Sequence, residues 1–564
     1  MTASALPPAH RSGEPSFWCG LRPDSWSVAT VTIASLVTLP VLVVLGFVFV
    51  PAGEVWQHLR ETVLADYISH SLLLMLGVAL GTLAIGVSAA WMCSMCRFPG
   101  RRVFEWALLL PMAMPAYIIA YTYTGMLDYA GPVQTQLREW FGWGYGDYWF
   151  PEIHSLPGAI IMLSLVLYPY VYLLARAAFL EQSICVLEVS RSLGSGPWGA
   201  FLRVALPMAR PAIVTGLSLV MMETLADYGT VQYFGVNTFT TGIFRTWFGL
   251  GDSSAAAQLS ALLLGFVLML VALERWSRHQ ARFYNPGRRV QPLPGYRLKG
   301  WLGWLAFAGC LLPLALGFLV PASQLTAWAL HTAEQVVDTG FVTLTINTLG
   351  LAAGTALIAL ALAVVLAYGK RIHPTRLIRA SVTMSGMGYA IPGTVIALGV
   401  MLPFAAIDNF VDLWMETHFG IRTGLILSGT LVALVSAYTV RFLAVALNTV
   451  ESGLGKISTT MDEAARSLGQ PPRGVLGRIH MPMMRASLLT AVLLVFVDVM
   501  KELPATLILR PFNFNTLAVR TYELATDERL ADSASSALAI VLAGIIPVIL
   551  LSRLISRSRS VQHD

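Results

Sequence analysis

Hydrophobic residues along this chain come in long blocks and show no strand-like alternation. Twelve runs of 19 to 26 residues lie near 28–50, 70–92, 103–125, 156–180, 211–233, 256–274, 301–321, 343–368, 378–403, 423–448, 487–509 and 535–556. About 20 apolar residues in a helix cross the roughly 30 Å of bilayer hydrocarbon. The pattern therefore predicts an all-α polytopic membrane protein with twelve transmembrane helices. The arm at 1–27 is polar and Pro-rich, and the apolar run after it is too long for a secretory h-region. It reads as a cytoplasmic arm before the first span.

Polar residues interrupt the pattern most heavily at two places that resemble each other. Residues 186–210 read VLEVSRSLGSGPWGAFLRVALPMAR and residues 461–485 read MDEAARSLGQPPRGVLGRIHMPMMR. At a constant offset of 275, Glu188 falls on Glu463, Arg191 on Arg466, Gly194 on Gly469, Pro207 on Pro482 and Arg210 on Arg485. About half of the 23 positions from 188 to 210 are identical without a gap, more than oily composition alone produces. The chain thus divides into a first half of six spans (28–275), a Pro- and Gly-containing basic linker (276–300), a second half of six spans (301–556) and a short tail (557–564). An even number of spans separates the copies, so the repeat is parallel about an axis along the membrane normal. Two such halves enclose a central path, which suits the movement of a solute.

Composition and charge sharpen this picture. With 56% hydrophobic and 12% charged residues, the chain has about half the charge of an average soluble domain. Most of the 37 Lys and Arg fall in segments that face inward if the N-terminus is cytoplasmic, including Arg97, Arg101, Arg102, Lys370 and Arg371. That bias places both termini and both repeated loops on the cytoplasmic side. The net charge of +6 is then a topology signal, and nucleic acid is not an expected partner. The five cysteines imply no disulfide framework. Cys93 and Cys96 form a CxxC without a second pair or a nearby His, so small-residue packing is expected there.

In the second loop, Asp462 to Leu468 form a helix-favouring run that Gly469 closes, and a second run over 473–481 ends at Pro482. Acidic residues at the first turn suit the helix dipole, and Ala464, Ala465 and Leu468 share one apolar stripe. Such an element offers an apolar knob and charges to a partner groove. The strings EVSRSLG and EAARSLG resemble the EAA loop of binding-protein-dependent ABC importer permeases. The segments ETLADYGTVQYFGVNTFTTGIFRTWFG (223–249) and DVMKELPATLILRPFNFNTLAVRTYELATDE (498–528) resemble the fused two-half permeases of ferric-iron importers and, more weakly, the thiamine branch. The resemblance implies a type I importer permease in a bacterial inner membrane. It assigns ATPase coupling to Glu188, Arg191, Gly194 and Pro207 in one loop and to Glu463, Ala464, Ala465, Arg466, Gly469 and Pro482 in the other. The first copy departs from the family pattern at Val189 and Ser190, where Ala is usual.

Charges also sit inside the apolar runs. Glu223 corresponds to Asp498 and Asp227 to Glu502, two carboxylates four residues apart in each half, read as sharing one helix face. Ionisable groups at membrane depth cost about 2.5 to 3.5 kcal/mol on insertion scales and face a bundle interior or a wet cavity. Glu223, Asp227, Tyr228, Asp498, Lys501 and Glu502 are the candidate path residues, since a hard trivalent cation prefers oxygen ligands. A structural network with Lys501 bridging the halves is the alternative. No firm metal site is expected. Pro115 and Pro392 occupy corresponding third spans and mark a gate or a packing kink. Tyr117, Tyr121 and Tyr123 read as an interfacial aromatic belt.

The nearest string to a phosphate loop, ESGLGKIS at 451–458, lacks the first Gly and the Ser or Thr after its Lys. The chain is therefore expected to have no ATPase activity, no catalytic residues and no bound cofactor, with ATP and Mg2+ on two separate ABC ATPase subunits. A periplasmic solute-binding protein and the lipid bilayer complete the expected partners, and Fe3+ is the expected solute. Thiamine or a polyamine is the alternative cargo. A proton-coupled secondary transporter is the alternative class, which leaves the duplicated loops unexplained. A membrane enzyme lacks any HExxH or GxSxG string.

Overall fold

The structure is a computed structural model and describes residues 24–51, 53–144, 146–181, 196–279 and 296–560. Among these, ten helices are long and apolar enough to cross a membrane. Two further pairs, Arg101–Ala113 with Ala116–Phe141 and Pro472–Met483 with Arg485–Met500, qualify as spans bent by 90° and 78°. The twelve apolar runs map onto these elements. A hydrocarbon environment selects helices because each backbone donor finds its acceptor within the same segment. The described exception is a two-residue parallel pairing of Cys96–Arg97 with Tyr296–Arg297, which pins the end of the linker to the first half.

Each half contains the same triangle of helices. Leu64–Met95, Leu156–Glu181 and Leu206–Ala226 pack on one another in the first, as Thr339–Ile372, Leu431–Gly455 and Arg485–Met500 do in the second. Small residues allow close approach, as membrane helices require where no hydrophobic effect drives them together. A Cβ on Gly77 would stand 2.6 Å from Ile160, and one on Gly86 would stand 2.8 Å from Val171.

The first helix of each half crosses to the other, which the sequence does not announce. Ser25–Gly46 packs on Thr339–Ile372, Arg376–Ser385 and Gly393–Phe419. The Asp24 carboxylate lies 3.0 Å from His373 Nε2, and the Trp26 ring meets Tyr368 edge-on at 5.1 Å. In return, Trp301–Leu314 packs on Leu64–Met95, and Val320–Val336 packs on Ala116–Leu127. The Tyr123 hydroxyl donates to the Leu316 carbonyl at 2.6 Å. Any relative motion of the triangles therefore carries a helix of the opposite half with it. Cys93 and Cys310, one from each half, are buried free thiols, as is Cys96.

Four predicted spans are not continuous. The third ends at Ala113 and restarts after Pro115, and its counterpart restarts after Pro392. Both prolines have extended ψ near 141° and stand as the residue before a new helix, so each separates two helices and kinks neither. The fifth and eleventh spans stop at Ala226 and Met500, short of their predicted ends at 233 and 509. Tyr117, Tyr121 and Tyr123 are buried and form no interfacial belt. Their helix follows the Pro115 break and packs into the protein, where a lipid-facing ring would have no place.

Candidate translocation cavity and coupling loop

The breaks converge between the two halves. Met112, residues 114–117, 226–229 and 501–504, together with Tyr389, line a cavity of about 120 Å³. All six candidate path residues, Glu223, Asp227, Tyr228, Asp498, Lys501 and Glu502, line it. Their placement corrects the shared helix face. Glu223 and Asp498 sit on helices, but each helix ends before its second carboxylate. Asp227 follows Ala226 in extended conformation (φ −66°, ψ 134°), and Lys501 is the residue that closes the Arg485–Met500 helix.

The reason lies in the short helices that follow. Asp227 accepts hydrogen bonds from the Thr230 and Val231 amides at 3.1 Å each and from the Thr230 hydroxyl at 3.0 Å. Glu502 accepts from the Ala505 amide at 3.2 Å. The first turn of a helix leaves its amides without internal acceptors, and a carboxylate satisfies them and suits the dipole. Both halves use it three residues ahead of the amide, at the 275 register. The caps are what let the chain break inside the membrane.

The cations are distributed unequally. Arg441 donates to Glu502 at 3.0 Å, with both side chains under a tenth exposed, and Lys501 pairs with Asp498 at 2.7 Å. Lys501 thus serves its own helix, and among the described residues it makes no direct bond to the first half. At the 275 register, Arg441 corresponds to Val166 and Lys501 to Ala226, both cavity-lining and uncharged. Asp227 is held by its cap, and Glu223 has no hydrogen bond or ion pair among the described residues. The cavity holds four acids against two bases. Among the described residues no three acidic, His or Cys side chains converge as metal ligands. The arrangement suits passage of a cation more than its storage.

Four contributors were missed in the sequence. Tyr170 and Tyr389 reach the cavity from opposite halves, and Tyr117 lines it with a buried hydroxyl that has no partner. Arg441 was the detectable one, a lone cation in the run LVALVSAYTVRFLAVAL. Tyr228 stacks on Phe244 at 3.7 Å, and its hydroxyl lies 3.3 Å from that of Tyr522 in the second half. At Gly229 an added Cβ would stand 2.7 Å from Tyr117 Cβ and 3.0 Å from Leu503. Gly229→Ala is expected to cost about 1 to 3 kcal/mol through overpacking, read as a lower unfolding temperature of the purified protein.

Of the two repeated loops, the second is described. Thr459–Ser467 is a helix whose Ser458 hydroxyl accepts from the Thr460 amide. It closes with Gly469 N–H donating to Arg466 O at 2.9 Å and Gln470 N–H to Ala465 O at 3.0 Å, a Schellman turn with Gly469 at φ +78°. Glu463, Ala464, Arg466 and Leu468 are exposed, Leu468 at 81%. Ala465 is buried whereas Ala464 and Leu468 are exposed, which corrects the single stripe expected of the three. Pro482 does not end the second run either: it lies inside Met481–Met483, and the chain bends at Met484. In the first loop, Glu188, Arg191 and Gly194 lie outside the described residues, and Pro207 starts the Leu206–Ala226 helix. Burial by itself raises the Asp462 carboxyl, but hydrogen bonds and charge from Arg371 and His480 outweigh it and hold the group below the ordinary carboxylate range.

Residues 82–282 match the family described as binding-protein-dependent transport system inner membrane component. The chain is 26% identical over 541 residues to the Fe(3+)-transport system permease protein FbpB 2 of Haemophilus influenzae, covering 94% of this chain and 99% of the relative. It is 23% identical over 494 residues to the ferric transport system permease protein FbpB of Actinobacillus pleuropneumoniae, covering 82% of this chain and 67% of the relative. The molybdenum transport system permease protein ModB of Escherichia coli K12 is 24% identical over 201 residues, covering 35% of this chain and 85% of the relative. That match spans about one half of the duplicated architecture, whereas the Haemophilus protein spans both halves. With its duplicated bundles, exposed loop helix and interfacial cavity, this multi-pass chain carries the binding-protein-dependent transport system inner membrane component domain over residues 82–282 and is similar along nearly its whole length to a permease of that kind.

Proposed function

We propose that this chain carries ferric iron across a bacterial inner membrane, driven by two ABC ATPase subunits bound to its cytoplasmic loops and supplied by a periplasmic binding protein. The carrying observation is the acid-rich cavity between two halves that correspond end to end to a permease named for Fe(3+) transport. ATP and Mg2+ act on the ATPase subunits. Fe3+ is the solute, and the cavity carboxylates and phenols offer it hard oxygen contacts that are brief because most are already engaged by protein partners. Both termini lie in the cytoplasm by the positive-inside bias.

In mechanism, the binding protein releases its load to the outer face, and ATP draws the two ATPase subunits together. Each coupling loop, the second through the exposed face of Thr459–Ser467, transmits that closure to its triangle. Because the first helices are exchanged, the triangles rock as an interlocked pair. The breaks around the cavity are the points where the path opens and closes.

The cargo is tested in proteoliposomes holding the chain, its ATPase and its binding protein. Radioactive iron is expected to accumulate with ATP and to persist when an uncoupler is present. Thiamine or polyamine uptake without iron uptake overturns the cargo, and uptake that survives ATP depletion but collapses with the uncoupler overturns the class. Glu223→Gln removes the unpaired carboxylate and is expected to lower iron uptake about ten-fold while leaving insertion intact.

A further inference from the structure

We propose that Arg371, Asp462 and His480 form a clamp that makes the second loop helix a rigid part of its bundle, so that movement imposed on the loop reaches the spans. They are positioning residues for transport, and the proposal rests on reading the 461–485 loop as the ATPase-docking surface.

A nine-residue helix has little stability by itself. Thr459–Ser467 must therefore be oriented by bonds to its neighbours, and the structure supplies them on its buried side. Arg371, at the end of Thr339–Ile372, donates through Nε to Asp462 Oδ2 at 2.7 Å and through Nη2 to Oδ1 at 3.2 Å. The His480 ring nitrogen Nε2 lies 2.7 Å from the same Oδ1, and His480 is fully buried. The guanidinium also donates to the Leu454 carbonyl at 2.6 Å and to that of Ile457 at 2.9 Å, at the end of Leu431–Gly455. One side chain thus joins two spans to the loop helix.

A second tie lies beyond the Schellman turn. One turn before Arg371, the Tyr368 hydroxyl donates to the Pro472 carbonyl at 2.7 Å, and its ring meets His480 edge-on at 5.5 Å. The loop is held on both sides of Gly469, while Glu463, Ala464, Arg466 and Leu468 stay free for a partner. Such bidentate, largely buried pairing fixes orientation as well as distance.

The Arg–Asp–His set is not repeated in the first half of the sequence. At the 275 register, Arg371, Asp462 and His480 correspond to Cys96, Leu187 and Ala205, which provide no such ion pair.

The test compares Asp462→Asn, Arg371→Met and Arg371→Lys in the reconstituted complex of this chain, ATPase and binding protein. The readouts are ATPase subunits retained and iron imported per ATP hydrolysed. Asp462→Asn and Arg371→Met are expected to retain the subunits while import per ATP falls about ten-fold, with Arg371→Lys recovering part of the loss. Unchanged import per ATP in either breaking variant overturns the clamp, and so does loss of the subunits from Asp462→Asn, which would place Asp462 in the docking surface. If neither breaking variant inserts, Tyr368→Phe decides, because it removes the Pro472 bond and leaves the ion pair: a lowered ratio supports the clamp and an unchanged one overturns it. Glu463→Lys separates the two claims. Retained ATPase in Glu463→Lys defeats the docking reading, whereas its loss there with normal coupling in Asp462→Asn defeats the clamp alone.

Discussion

Arg441→Met is expected to leave Glu502 as an uncompensated charge beside the cavity, at a cost of about 3 to 5 kcal/mol, and to abolish uptake. Arg441 and Glu502 have side-chain exposures of 8% and 6%, so water replaces little of the lost bond. Glu502 also caps the Pro504–Leu509 helix through the Ala505 amide, and an added Cβ at Gly393 would strike both Arg441 and Glu502. The pair therefore sits where the Pro392 break, the Leu431–Gly455 helix and the break after Met500 meet. Glu502→Gln keeps an acceptor for Ala505 and is expected to be milder. The double substitution Arg441→Met with Glu502→Met removes both charges, and is expected to recover much of the thermal stability without recovering transport. Thermal unfolding in detergent together with proteoliposome uptake checks all three. Recovery of uptake in the double variant would show that the charges serve stability alone.

The second large effect is expected at the exposed face of the loop helix. Glu463→Lys reverses a charge in the first turns, against the helix dipole, and Leu468→Asp puts a carboxylate where an 81%-exposed apolar side chain stands. If the loop docks on the ATPase as proposed, this leucine is the knob that a pocket on the partner takes. Its loss is expected to weaken ATPase association by about 2 kcal/mol or more, the size of an interface hot spot. Co-purification of the ATPase with each variant measures this, with insertion monitored by yield. Both variants retaining the ATPase at wild-type levels would remove the loop from the interface.

Much of the architecture was legible because hydrocarbon imposes simple rules. Run length set the number of spans, and the repeated polar loop set the twofold plan. The breaks were not legible from hydropathy because the runs around Asp227 and Glu502 stay apolar on average despite Glu223, Asp498 and Lys501. Local chemistry did mark one of them: Pro504, two residues after Glu502, is a helix-start residue whose missing N–H is no loss there. Reading both carboxylates as one face assumed the helix continued, whereas each second acid is drawn to the free amides of the next helix. Arg441 was visible as an isolated cation but had no partner within reach in sequence, since Glu502 lies 61 residues away. The exchange of first helices left no sequence signal at all, because packing against one apolar bundle or its twin demands the same side chains. In the loop, the 3- to 4-residue spacing of Ala464, Ala465 and Leu468 is compatible with either face, and the Asp462 clamp decides which one turns inward.

On the proposed function, the solute path runs through the cavity between the halves and changes sides under ATP control. Glu223→Cys, in a chain whose native cysteines are replaced, places a thiol on the wall of that cavity. Small membrane-impermeant thiol reagents added from one side or the other report its access. Labelling is expected from one side in the resting complex and from the opposite side when the ATPase is trapped with nucleotide. Labelling from the same side in both states, or from neither in either state, would contradict it.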